Sequence, residues 1–144
     1  MNRIYIIQST ILCFVGIGAL FGGAIAIIDP YEALLGISTE LLKKGPFSNF
    51  LIPGLFLFIV IGLGHLLSFW FVKRKMKFHP YLSGAMGCIL MAWIVIQCYI
   101  LETINILHVI YFAIGVIEGL VSLYMLVKLR LFPFDKGNKS LTKD

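Results

Sequence analysis

Four long apolar runs alternate with short polar segments along this chain, at roughly Ile4–Ile28, Phe50–Val72, Tyr81–Leu101 and Ile106–Val127. Each holds about 20–25 residues, the length that crosses a hydrocarbon core about 30 Å thick at about 1.5 Å per helical residue. Lipid offers no hydrogen bonds to a backbone, so spans of this length are helices that satisfy themselves. The third and fourth runs are separated only by the polar segment ETIN, Glu102–Asn105. One helix over residues 81–127 would measure about 70 Å, twice a bilayer, so the chain turns there. Asn105 is placed to cap the start of the fourth helix, and so short a loop makes helices three and four antiparallel neighbours. The pattern predicts an all-α membrane protein, a four-transmembrane-helix bundle over residues 1–130 with a tail at 131–144.

The first run begins after Arg3 and ends near an Ala24–Ala26 triplet, which imitates a signal peptide. Signal-peptide apolar regions run about 7–15 residues. This one is much longer and is expected to be a retained helix.

The loop after it, DPYEALLGISTELLKKGPF, carries full helix punctuation. Asp29 suits an N-cap and Pro30 the first helical position, where no N–H is needed. Glu32 suits the positive end of the helix dipole. Lys43 and Lys44 fall in the last turn, and Gly45 and Pro46 stop it. Leu34, Leu35, Ile37, Leu41 and Leu42 share one side. The expectation is an extracytoplasmic, interfacial amphipathic helix over about 30–44, acting either as a connector or as a lid. Pro53 then requires that the second helix start near Ile52 or be kinked in its first turn.

The stretch from Asp29-Pro30 through Gly45-Pro46-Phe47-Ser48-Asn49-Phe50-Leu51-Ile52-Pro53-Gly54, continuing to about residue 64, resembles small, uncharacterised four-helix membrane proteins of bacteria. That resemblance implies the architecture and a bacterial cytoplasmic membrane, and it implies no activity.

Composition agrees with lipid as the main solvent. Hydrophobic residues make up 60% of the chain and charged ones 13%, against roughly 45–50% and about a quarter in soluble domains. The net charge of +5 would suit nucleic acid, but its distribution points to topology instead. Arg3, the KRKMK segment at Lys73–Lys77 and the C-terminal tail hold ten of the twelve basic residues, and the first loop holds only Lys43 and Lys44. The basic side is expected to be cytoplasmic, with both termini inside. The loop at 73–77 is also a candidate for anionic lipid. Cys13, Cys88 and Cys98 all lie in apolar runs without metal or redox spacing, and read as small buried hydrophobes.

Small residues recur at four-residue spacing: Gly18, Gly22 and Ala26; Gly84, Cys88 and Ala92; Gly115 and Gly119. Such stripes let helix backbones approach closely, within the bundle or in a homodimer.

Glu118 is the sharpest chemical feature. A central acid costs about 2.5–3.5 kcal/mol to insert and marks a functional site by default. Counting along the helices puts His65 within about 3 Å of the same depth. Gly62 and Ser68 flank His65, and Gly115 and Ser122 flank Glu118, with Tyr111 and Met125 one heptad away. Glu118, His65, Ser122 and Ser68 therefore form the candidate intramembrane site, either a working group or a structural hydrogen bond between two helices. A second group, Gln97, Glu102, Asn105 and His108, clusters at the third loop, where interfacial water is within reach. Gln8, Ser9 and Thr10 can bond to backbone or headgroups. Trp93, too deep for an interfacial anchor, reads as core.

Three functions are compatible with these residues, and an accessory or interaction role is the leading one, with a carrier as the alternative and a lipid-modifying enzyme third. An accessory protein would bind another membrane protein, a second copy or lipid. A proton- or cation-coupled carrier would use Glu118 and His65, although no inverted repeat is visible. A lipid-modifying enzyme would use Glu118 as general acid or base. No nucleophile elbow, metal-binding helix pair or Gly-rich phosphate loop occurs, so neither cofactor nor metal is expected.

Overall fold

The computed structural model describes residues 2–31 and 46–131. Over these the chain is helical, without strands, and four helices are long and apolar enough to cross a membrane. They are α1 (Asn2–Ile28), α2 (Leu51–Lys73), α3 (His79–Leu101) and α4 (Ile106–Lys128). The amphipathic helix expected over 30–44 lies outside the described residues except for Pro30 and Tyr31, as does the tail beyond Leu131. The Phe50 N–H donates to the Pro30 carbonyl at 2.9 Å, which brings the two ends of the first loop together.

The helix ends follow from local chemistry. α2 starts at Leu51, whose N–H donates to Asn49 Oδ1 at 3.1 Å. Pro53 falls in the first turn, where the amide it lacks has no intrahelical partner. α3 starts two residues before the apolar run because Pro80 is accommodated at its first turn. At α4, Asn105 Oδ1 accepts from the N–H of Leu107 at 3.0 Å and of His108 at 3.2 Å, and the Asn105 N–H donates back to His108 Nδ1 at 3.3 Å. This capping box satisfies orphan amides at the head of the helix.

One feature of α2 leaves no mark in the apolar pattern. Between α-helical segments at Leu51–Phe56 and Gly64–Lys73, residues Leu57–Leu63 form a π-helix. Each bond there skips one more residue than in an α-helix, so the helix widens and the side chains beyond it change azimuth.

The helices form a ring. α1 and α2 pack most extensively, α3 lies along α4, α2 touches α3, and α1 meets α4 more lightly. α2 and α4 therefore occupy opposite corners. An apolar cluster of Val15, Ala19, Ile61, Leu90, Trp93 and Ile94 fills the middle of the bundle. Trp93 stacks on Phe56 with ring centroids 4.5 Å apart.

Glycines set the close approaches, but not all of the expected ones. On α1 the contact face carries Gly16, Ala19 and Gly23, which are buried. A Cβ at Gly23 would lie 2.7 Å from the Phe58 backbone N and 2.9 Å from the Gly54 carbonyl oxygen. The expected Gly22 has only an ordinary contact with Leu57, at 3.4 Å, and Gly18 meets the Tyr111 hydroxyl. Ala26 does belong to the interface, against Gly54. On α3 the close residue is Gly87; Cys88 and Ala92 are exposed, and Gly84 faces Ser122 Oγ. A Cβ at Gly87 would sit 2.9 Å from the Gly115 carbonyl oxygen and 3.1 Å from the Gly119 N. Gly115 thus belongs to the α3–α4 contact. Gly119 offers its backbone to that contact, while its own Cβ position has nothing within 4 Å. A shift of one residue rotates a position by about 100°, which separates a buried stripe from a lipid-facing one.

Gly87→Ala and Gly23→Ala should each destabilise the protein by about 1–3 kcal/mol, because the new methyl meets backbone that cannot rotate away. Gly119→Ala should be neutral or stabilising by up to about 1 kcal/mol, since Ala is the better helix former. Thermal unfolding of the three variants in one detergent checks the contrast.

Candidate functional site

The inward faces of the helices follow heptad-like spacing. α2 buries Ile61, His65, Ser68 and Val72, and α4 buries His108, Gly115, Glu118, Ser122 and Met125. His65 and Glu118 are both 0% exposed, and they meet: His65 Nε2 lies 3.3 Å from Glu118 Oε2. Because α2 and α4 stand at opposite corners, the pair crosses the centre of the ring. The depth count along each helix anticipates this meeting; the diagonal geometry comes from packing. Gly87 helps to seat the acid, since a Cβ there would lie 3.4 Å from Glu118 Cβ.

The other ring nitrogen fixes the pair's protonation chemistry. His65 Nδ1 lies 2.7 Å from the Ile61 carbonyl oxygen, just past the end of the π-segment. A carbonyl can only accept, so Nδ1 carries a hydrogen and donates. A neutral ring then has a bare Nε2, which needs a donor, and Glu118 is one only when protonated. A charged ring instead donates from Nε2 to the carboxylate. Either way a single proton lies between Nε2 and Oε2. Without it two lone pairs would face each other at 3.3 Å between two side chains that are both fully buried.

The polar surroundings extend from this pair toward the basic end of the bundle. Ser122 Oγ donates to the Pro80 carbonyl, and Ser83 Oγ lies 3.3 Å from that same carbonyl and 3.4 Å from Ser122 Oγ. Ser122 therefore ties α4 to α3. Ser68 Oγ, Glu118 Oε1, both side-chain polar atoms of Gln8 and both ring nitrogens of His79 are buried with no hydrogen-bond partner among the described residues. By count from the helix ends, Ser83, Ser68, Gln8, Ser122, His65 and Glu118 ascend from about 6 to about 15 Å above the basic end. The interior is polar in that half and apolar in the middle.

Sequence reasoning passed over His79 and read Gln8 only as bonding to backbone or headgroups. Gln8 is not bonded to headgroups: it is 0% exposed. Its spacing to Leu12, Val15 and Ala19, all buried on one face of α1, was the available signal. His79 sits against the Tyr5 ring with centroids 5.2 Å apart.

Asn105 and His108 are occupied as the cap of α4. Glu102 is exposed and terminates α3 in the left-handed region, at φ 48°. Gln97 is half-buried further back on α3. Among the described residues no group of three or more His, Cys, Asp or Glu side chains is placed to hold a metal. Cys88 is exposed rather than buried, and Cys13 and Cys98 are half-buried.

Replacement of Glu118 by Gln should be nearly neutral for stability, because the amide can donate to a neutral Nε2 as a protonated carboxyl does. Glu118→Leu should cost about 1–3 kcal/mol by leaving Nε2 unpaired in the interior. The melting temperatures of the two variants beside the parent protein test this difference. No protein-family model matches the chain, nor does any curated protein or solved structure.

Proposed function

We propose that this is a small proton-coupled membrane carrier whose working group is the His65–Glu118 pair, in a bacterial cytoplasmic membrane with both termini inside. The observation that carries the reading is the 3.3 Å approach of two fully buried side chains, His65 and Glu118, a contact that calls for one proton between them. Such a pair has a neutral state holding the proton and a state one negative charge richer without it. The second state calls for a cation or a change of packing, which is how proton release does work on a membrane protein.

The unpartnered atoms of Ser68, Gln8 and His79 favour access from the basic end, since protons travel along hydrogen-bonding groups. The apolar cluster at the centre of the bundle would close the other side in this state. A lipid-modifying enzyme is less well supported, because a lipid cannot follow a proton to groups with no exposure. An accessory role with another membrane protein or a second copy has only the lipid-facing surfaces of the helices behind it, and any membrane bundle has those.

Proteoliposomes loaded with a pH-sensitive dye provide the test, with a potassium diffusion potential or a sodium gradient as the driving force. Proton movement above that of empty vesicles is expected for the parent protein and for Ser122→Ala. Glu118→Gln should abolish it while the fold survives, because the amide keeps the hydrogen bond and cannot exchange the proton. Equal flux in the parent and Glu118→Gln would reduce the pair to a structural link between helices.

A further inference from the structure

A second feature lies apart from the pair. A groove of about 770 Å³ runs between α1 and the C-terminal half of α2, within the size range of specific ligand sites. Its length follows α1 from Asn2 to Ile17, about 22 Å at 1.5 Å per residue. That reaches from the basic end of the bundle past the midplane of a core about 30 Å thick, so the groove spans one leaflet. Its upper wall is apolar, with Phe14 and Ile17, and its mouth holds Tyr5, Phe69, Lys73 and Lys75.

The mouth is organised. Lys73 Nζ lies 5.8 Å from the centroid of the Phe69 ring, and Lys75 Nζ lies 5.3 Å from that of Tyr5. Both are within the distance at which an ammonium is held by a ring face. Lys75 gets there through the turn that ends α2. Its N–H donates to the Val72 carbonyl at 3.0 Å and that of Met76 to the Phe71 carbonyl at 3.1 Å. This Schellman closure puts Lys75 at φ 50° and directs the chain back over α1. An ammonium resting on a ring still has N–H donors on its other side. Two positive charges therefore stand at the headgroup end of an apolar slot one leaflet long.

We propose that this groove binds one anionic phospholipid of the leaflet at the basic end. One acyl chain lies along Phe14 and Ile17, and the phosphate sits between Lys73 and Lys75. Charge complementarity selects the headgroup and the slot selects a molecule with a tail. The groove thus narrows the basic loop to two lysines and pairs them with a wall on α1.

Native mass spectrometry of the detergent-purified protein tests this, with phosphatidylglycerol and phosphatidylcholine of identical chains as probes. The parent protein should prefer phosphatidylglycerol by about tenfold or more, on the order of the attraction of two basic residues. The double variant Lys73→Gln/Lys75→Gln should lose that preference and Lys77→Gln, on the same loop but outside the groove, should keep it. Thr10→Trp, which fills the slot at an exposed lining position, should weaken both lipids. Glycerol 3-phosphate, which has no tail, should not displace the lipid at equal concentration. The proposal is overturned by equal binding of the two lipids to the parent, or by a loss in Lys77→Gln that matches the double variant. Unchanged binding in Thr10→Trp, or displacement by glycerol 3-phosphate, overturns it as well.

Discussion

The buried contact between His65 Nε2 and Glu118 Oε2, 3.3 Å apart across the bundle, is the constraint against which the rest of this molecule is best understood. The two side chains come from helices at opposite corners of the ring, so they meet only if all four helices close to the right distance. Both groups are fully buried, and an unpaired charge or lone pair there would be far more costly than at a surface. The Ile61 carbonyl settles which ring nitrogen carries the fixed hydrogen. That assignment leaves the other nitrogen and the carboxyl to share a proton. A bonded pair in a membrane contributes modestly to stability, about 0.6 to 2 kcal/mol, so its chemical interest lies in the proton rather than in holding helices together.

The scaffold answers to this demand at two levels. Gly87 lets α3 and α4 approach backbone to backbone just where Glu118 leaves α4, and Gly16, Gly23 and Gly62 do the same for α1 and α2. The π-segment at Leu57–Leu63 lies immediately before His65, and an extra residue in one turn sets the azimuth of everything after it. Single-turn π-segments in otherwise regular helices are frequent at functional sites for this reason. Above the pair the interior is apolar apart from the buried Trp93 Nε1; below it, serines, Gln8 and His79 make it polar. The asymmetry gives the bundle a direction.

Much of this was legible in the residues. Run length located the four spans, Asn105 and its distance to the next apolar run marked the cap, and counting depth paired Glu118 with His65. Azimuth was harder to read. Gln8, Ser9 and Thr10 offer three consecutive polar side chains, and depth alone does not say which of them faces inward. The same limit misplaced the stripes: Cys88 and Ala92 share the four-residue spacing of Gly84, whereas the backbone contact belongs to Gly87, one residue and about 100° from Cys88. The π-segment leaves the apolar run unbroken, so no pattern of hydrophobicity reveals it. The polar residues of the third loop look like a site because they are close in sequence. Two of them are consumed in starting a helix.

The shared proton can be observed directly. Nitrogen-15 solid-state NMR of histidine-labelled protein in bilayers, with His65 assigned against variants at His79 and His108, reports the state of each ring nitrogen. The account predicts that Nδ1 of His65 stays protonated and that Nε2 carries the signature of a hydrogen bond, which changes when Glu118 is replaced by Leu. A His65 ring with a bare Nδ1, or one whose Nε2 signal is the same with Leu at position 118, would contradict it.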